Sequence, residues 1–169
     1  RRGYILGLFA YCIWGMFPLY FKTLDGIPSQ EVIVHRVLWS ALFSAGLLLI
    51  WQHKNWWQEL YSHPKRFLVL AASGALIASN WLIYVWSVHN DRMVEASLGY
   101  YINPLVNVLL AMLFLRERLR RLQWVAIALA AIGVGLQVWS FGEVPWISLA
   151  LACSFGFYGL IRKQAPVAA

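Results

Sequence analysis

Six apolar blocks dominate the chain: Tyr4 to Phe21, Val32 to Trp51, Phe67 to Val88, Ala96 to Leu115, Leu122 to Phe141 and Val144 to Ile161. Their length matches the roughly 20 residues a helix needs to cross about 30 Å of hydrocarbon. Backbone groups in lipid have no water to bond, so each block must satisfy itself as a helix. The connections are short and carry turn signals: Asp25-Gly26-Ile27-Pro28, Ser62-His63-Pro64, His89-Asn90-Asp91 and Gly142-Glu143. Loops this short predict antiparallel neighbours, and the fold class is an all-α polytopic membrane protein with six transmembrane helices.

Composition supports lipid as the solvent. Hydrophobic residues make up 61% of the chain and charged ones 12%, against about 25% charged in a soluble domain. The net charge of +7 would invite nucleic acid as a partner, but the basic residues sit in short clusters between apolar blocks. That placement is the topology signal of a membrane protein and argues against nucleic-acid binding. Cys12 and Cys153 lie inside apolar blocks, where a thiol behaves as a small hydrophobe. Without CxxC or a His/Cys cluster no metal site is expected, and no cofactor.

The chain opens on Arg1-Arg2 without Met and stops soon after a basic cluster, which reads as a fragment. Pro18 and Lys22 at the end of the first block, with no small-residue cleavage site, argue against a removed signal peptide.

Alternating the loops between two sides puts Arg1, Arg2, Lys54, Lys65, Arg66, Arg116, Arg118, Arg120, Arg121, Arg162 and Lys163 on one side, and only Lys22 and Arg92 on the other. Eleven against two predicts a cytoplasmic N-terminus. Interfacial aromatics follow the same division. Trp51, Trp56, Trp57, Tyr61 and Trp124 mark the inner boundary, and Tyr20, Trp86, Trp139 and Trp146 the outer one.

A shift of 141 positions sets the first block on the sixth, matching Leu8, Cys12, Gly15, Leu19 and Lys22 to Leu149, Cys153, Gly156, Leu160 and Lys163. Five spans separate the copies, so they cross in opposite directions, as in the inverted repeats of transporters. On this reading residues 1–141 form one five-helix repeat and 142–169 open a second, incomplete one.

Polar side chains inside spans are costly and usually face the bundle interior or a water-filled path. Ser73, Asn80, Tyr84 and Ser87 share one face of the third span. Tyr100, Asn103 and Asn107 stripe the fourth, with Glu95 and Ser97 at its outer end. The second span follows Ser29, read as its N-cap, and carries Glu31, His35 and Arg36, with Glu31 and His35 four apart and within reach of each other. Pro18 and Pro104 remove the bonds to the carbonyls of Trp14 and Tyr100 and are read as helix breaks beside aromatic residues. Trp14, His35, Arg36, Asn80, Tyr84, Tyr100, Asn103 and Asn107 are therefore the candidate substrate path, and Glu95 the candidate for proton coupling. Each has a structural alternative. The asparagines can bond neighbouring helices, Trp and Tyr can anchor at interfaces, Arg36 can snorkel, His35 can pair with Glu31, and Glu95 can complement a helix dipole. Gly3, Gly7, Ser40 and Ser44 read as close-packing positions.

The stretch EASLGYYINPLVN (Glu95–Asn107), FLRERL (Phe114–Leu119), HRVLWS (His35–Ser40) and Asn80-Trp81 together resemble RarD-type proteins of the EamA branch of the drug/metabolite transporter superfamily. The resemblance runs from the first span through the sixth. It implies two inverted five-helix repeats making ten helices in a bacterial inner membrane, with both termini cytoplasmic. It also implies that this chain lacks the last four helices and needs the missing C-terminal half to transport. The group is associated by name with chloramphenicol sensitivity.

The expected function is a secondary transporter of small organic solutes by alternating access, with the solute and the lipid bilayer as partners. No GxxxxGK loop is present to bind a nucleotide. The rivals are a non-transporting membrane subunit and a membrane-embedded enzyme. HExxH, GxSxG and paired intramembrane carboxylates are all missing, so an enzyme is not expected.

Overall fold

A computed structural model describes residues 2–50, 62 and 64–164. Six helices follow one another: α1 (Arg2–Lys22), α2 (Ser29–Ile50), α3 (Pro64–His89), α4 (Met93–Phe114), α5 (Arg121–Phe141) and α6 (Trp146–Gln164). Among the described residues there is no strand. Most helices begin a turn before their apolar block, because backbone bonding continues into the polar flank. The sixth begins two residues late, since Pro145 has no N–H to donate and its carbonyl instead accepts from Leu149. Trp51, Lys54, Trp56, Trp57, Tyr61 and His63 lie outside the described residues, as does Arg1.

Two expectations change. Pro18 and Pro104 do not break their helices; α1 and α4 run through them, because one lost amide bond leaves the surrounding ladder intact. Ser29 is not the N-cap of α2. The N–H groups of Glu31 and Val32 donate to Pro28 O, so the ladder starts a residue earlier and the Ser29 hydroxyl pairs with His89 Nδ1 at 3.1 Å. Five helices, α1 to α5, are long and apolar enough to cross a membrane. The sixth falls short by that measure; its face toward α3 and α4 buries Ile147, Ser148, Leu151 and Ala152, while Trp146, Leu149, Phe155 and Phe157 remain exposed.

α6 packs mainly against α4 and α3, α1 and α2 each touch α3, and α5 touches α4. Between helices in lipid there is no hydrophobic driving force, so close van der Waals fit and hydrogen bonds must hold the bundle. Gly99 and Gly156 supply the fit. A Cβ at Gly99 would stand 3.0 Å from Ser148 O, and one at Gly156 would stand 2.8 Å from Val106 Cγ1. These two contacts also show that α4 and α6 run parallel, while the ring contact of Trp86 with Trp146 shows α3 antiparallel to α6. Gly3 and Gly7 have nothing within 4 Å of a built Cβ, and Ser40 and Ser44 are exposed, so their expected packing role is not met within the described residues. The surface that remains is apolar: Tyr4 and Trp139 are each 88% exposed, as lipid-facing side chains would be.

The helix ends sort into two groups, in agreement with strict alternation. At one end His89 Nε2 donates to Phe21 O (3.0 Å) and Lys22 pairs with Asp91 (2.6 Å), joining the end of α1, the start of α2 and the α3–α4 turn. That turn needs φ +57° at Asp91, a left-handed conformation that Asp tolerates better than most residues. At the other end Lys163 pairs with Glu117 at 2.6 Å. In a background without Cys12 and Cys153, a cysteine at Asn90 and one at Arg118 are expected to react with an impermeant thiol reagent from opposite sides of a sealed membrane. Labelling of both from one side would contradict the alternation.

Candidate functional site

The polar face expected on α3 is turned inward, toward α6. Asn80 is buried and its amide Nδ2 donates to Leu151 O and to Ser154 Oγ, both at 2.9 Å. Ser73 and Ser87 are also buried, but each hydroxyl donates back to its own helix, to Leu70 O and Ile83 O. Polar residues of one stripe thus divide into a helix-to-helix bond and two internally satisfied groups. Across the junction Ser148 Oγ donates to Glu95 O, tying α6 to the first turn of α4.

Asn80, Tyr100 and Asn103 meet around a cavity of about 10 Å³ that Gly99, Leu151 and Phe155 complete. Asn103 Oδ1 is buried there and accepts no hydrogen bond from the described residues. A buried amide oxygen left this way carries the cost of desolvation without its return. Such a group is an acceptor awaiting a donor.

From this junction a run of aromatic rings leads toward α1 and α2. Tyr100 meets Tyr84 edge-on at 6.3 Å, Tyr84 meets Trp81 at 5.7 Å, and Trp81 meets Phe17 at 5.8 Å. Arg36 closes the run, its guanidinium carbon 3.6 Å from the centroid of the Trp81 ring. This is cation–π geometry, and it holds the charge against an apolar face. Arg36 and His35 line a cleft of about 510 Å³ between α1 and α2. The expected contact between Glu31 and His35 is not made: neither a hydrogen bond nor an ion pair joins them, because the imidazole turns to the cleft while Glu31 is exposed in the first turn.

Of the eight residues expected along a path, Arg36, Tyr84, Tyr100, Asn80 and Asn103 are thus linked in one continuous set, with His35 at its α2 end. Asn107 lies beyond it, exposed on α4 beside a separate cavity of about 360 Å³ that Gly156, Gly159 and Lys163 also line. Trp14 is 60% exposed, and its ring meets Tyr11 on the same helix at 5.9 Å. Glu95 pairs with Arg92 at 3.5 Å in the first turn of α4, the position that complements the helix dipole. Trp81 was missed as a site residue, although its place beside Asn80, three residues before Tyr84, puts it one turn away on the helix. Ser148 and Ser154 carry no signal in the sequence, because single serines in an apolar block commonly bond back to their own helix. Among the described residues no group of three or more His, Cys, Asp or Glu could hold a metal ion.

The family model described as the EamA-like transporter family matches residues 1–139. Over 169 residues the chain is 68% identical to an uncharacterized transporter of Pseudomonas aeruginosa and 49% identical to the protein RarD of Escherichia coli, covering all of this chain and 57% of each relative. A protein of P. aeruginosa named chloramphenicol-sensitive protein RarD is 30% identical over 172 residues, covering 98% of this chain and 57% of that protein. The chain therefore spans a little over half the length of the curated relatives it matches. No solved structure matches it.

Proposed function

The chain belongs to the EamA-like transporter family, and on that premise we propose that it supplies the first five-helix repeat and the opening helix of the second in a secondary transporter. The transporter carries small organic solutes across a bacterial membrane by alternating access. One observation carries this reading beyond family membership: the unbroken run from Arg36 through Trp81, Tyr84 and Tyr100 to the unbonded oxygen of Asn103. Aromatic walls with a few polar groups at fixed points suit an organic solute of mixed polarity.

The packing of α6 supports the inverted repeat. If residues 142–169 open a second repeat, α6 crosses from its own repeat onto α3 and α4 of the first. The self-match then assigns α1 the reciprocal place against the second repeat. α1 is built for such a partner: among the described residues its backbone approaches only α3, and Leu6, Leu8, Phe9, Ile13, Met16 and Leu19 are more than half exposed. The basic excess on one side puts the N-terminus in the cytoplasm.

In proteoliposomes of the full-length protein, Tyr100→Ala and Asn103→Ala are each expected to lower solute flux about tenfold, the effect of losing roughly 1.4 kcal/mol of binding, with membrane insertion unchanged. Undiminished flux in both variants at equal protein would remove them from the path. Turnover without flux would instead favour a membrane-embedded enzyme.

A further inference from the structure

The cleft between α1 and α2 holds a positive charge that the described residues do not answer. Arg36 is the eighth residue of α2, about 6 Å along the axis inside Val32, where the apolar block begins. A guanidinium at that depth is expensive unless it is paired or reaches water. The three ion pairs among the described residues join Lys22 to Asp91, Arg92 to Glu95 and Lys163 to Glu117, so none engages Arg36. Trp81 takes one face of the guanidinium, which leaves the N–H donors arranged around the rim of its plane.

The surroundings define what could meet those donors. α1 and α2 both rest on α3, and their own backbones stay apart; Phe21 and Ile33 join one apolar cluster at the floor, and the space above it is the cleft. Its volume of about 510 Å³ lies within the usual range for small-molecule sites, about 300–1,000 Å³. Phe17, Tyr20, Phe21 and Trp39 supply apolar and aromatic wall, and His35 stands beside Arg36. Among the described residues no carboxylate side chain lines the space. A rigid fork of donors in an aromatic cleft fits a planar carboxylate joined to an apolar body. A lipid phosphate fits less well, because head groups lie outside the hydrocarbon layer, whereas Arg36 lies about one turn inside the apolar block with its guanidinium drawn onto Trp81.

We propose that this cleft binds an organic carboxylate with an aromatic or aliphatic body, Arg36 pairing with the carboxylate and the rings enclosing the remainder. It deepens the transport reading, on which it rests for the claim that this anion is the class of solute carried.

The test uses the purified full-length protein in phosphatidylcholine nanodiscs and three probes, benzoate, 3-phenylpropionate and octanoate, each beside its neutral amide. Calorimetric binding is expected to favour at least one anion over its amide by tenfold or more. Arg36→Gln is expected to weaken that anion by at least tenfold while leaving the amide unchanged, and Arg36→Lys to retain part of the preference, since an ammonium keeps the charge without the fork. Equal binding of anion and amide for all three pairs in the unaltered protein would overturn the proposal, whether or not the variants fold. So would an anion affinity indifferent to Arg36→Gln. Loss of the anion site in phosphatidylglycerol nanodiscs would assign Arg36 to a lipid head group and overturn it as well. Because binding is read without flux, the two readings fail separately. Arg36-dependent binding with no transport keeps the site and sinks the transporter; transport with no anion preference does the reverse.

Discussion

Gly99→Leu is expected to destabilise the helix bundle by about 3 kcal/mol, at the upper end of the usual cost of overpacking. The obstacle is backbone: a Cβ at residue 99 would stand 3.0 Å from Ser148 O and 3.2 Å from Ser148 Cα, and neither atom can rotate away. α4 and α6 would have to part, which would also stretch the bond from Ser148 Oγ to Glu95 O. Gly99→Ala should show the same effect in smaller measure. At Gly133 nothing lies within 4 Å of a built Cβ, so Gly133→Ala is expected to be near neutral. Thermal unfolding of the detergent-solubilised full-length protein measures the difference. An unchanged midpoint for Gly99→Leu would mean that α4 and α6 do not meet there.

Asn80→Asp is expected to cost about 3 kcal/mol at neutral pH, the scale of placing an ionised carboxylate in the middle of a spanning helix. The amide donates to two oxygens, Leu151 O and Ser154 Oγ; a carboxylate cannot donate, and it would face the Leu151 carbonyl with like polarity. Asn80→Ala is expected to cost only about 1 kcal/mol, typical of an interhelical bond in lipid. Its partners are not orphaned, because Ser154 Oγ still donates to Ala150 O and Leu151 O still accepts from Ser154 Oγ. Denaturant unfolding in mixed micelles gives both values. Equal costs for Asp and Ala would show that residue 80 is wetter than its burial implies.

The asparagine illustrates where sequence reading stops. Its spacing with Ser73, Tyr84 and Ser87 announced a common face, and the face exists. What the face meets was not legible, because the partner atoms belong partly to the α6 backbone, which every sequence shares. The same holds for Arg36. A charge inside an apolar block is visible at once, whereas its seat on Trp81 depends on how α2 lies across α3. Pro18 and Pro104 show the opposite error. Their local chemistry was read correctly, but the loss of a single bond did not stop helices whose other bonds were all made.

By itself the sequence determined the six helices of the described residues, about where each begins and ends, and how their ends alternate. These follow from a local rule: backbone without water must bond to itself, and about 20 residues of it span the hydrocarbon. Only the tertiary structure decided that the least apolar helix seats on α3 and α4, that Gly99 and Gly156 let it close on α4, and that α1 and α2 leave a cleft between them. Those outcomes depend on interhelical distances of a few tenths of an ångström, set by many surfaces at once. In lipid no gradient of hydrophobicity points them out in advance.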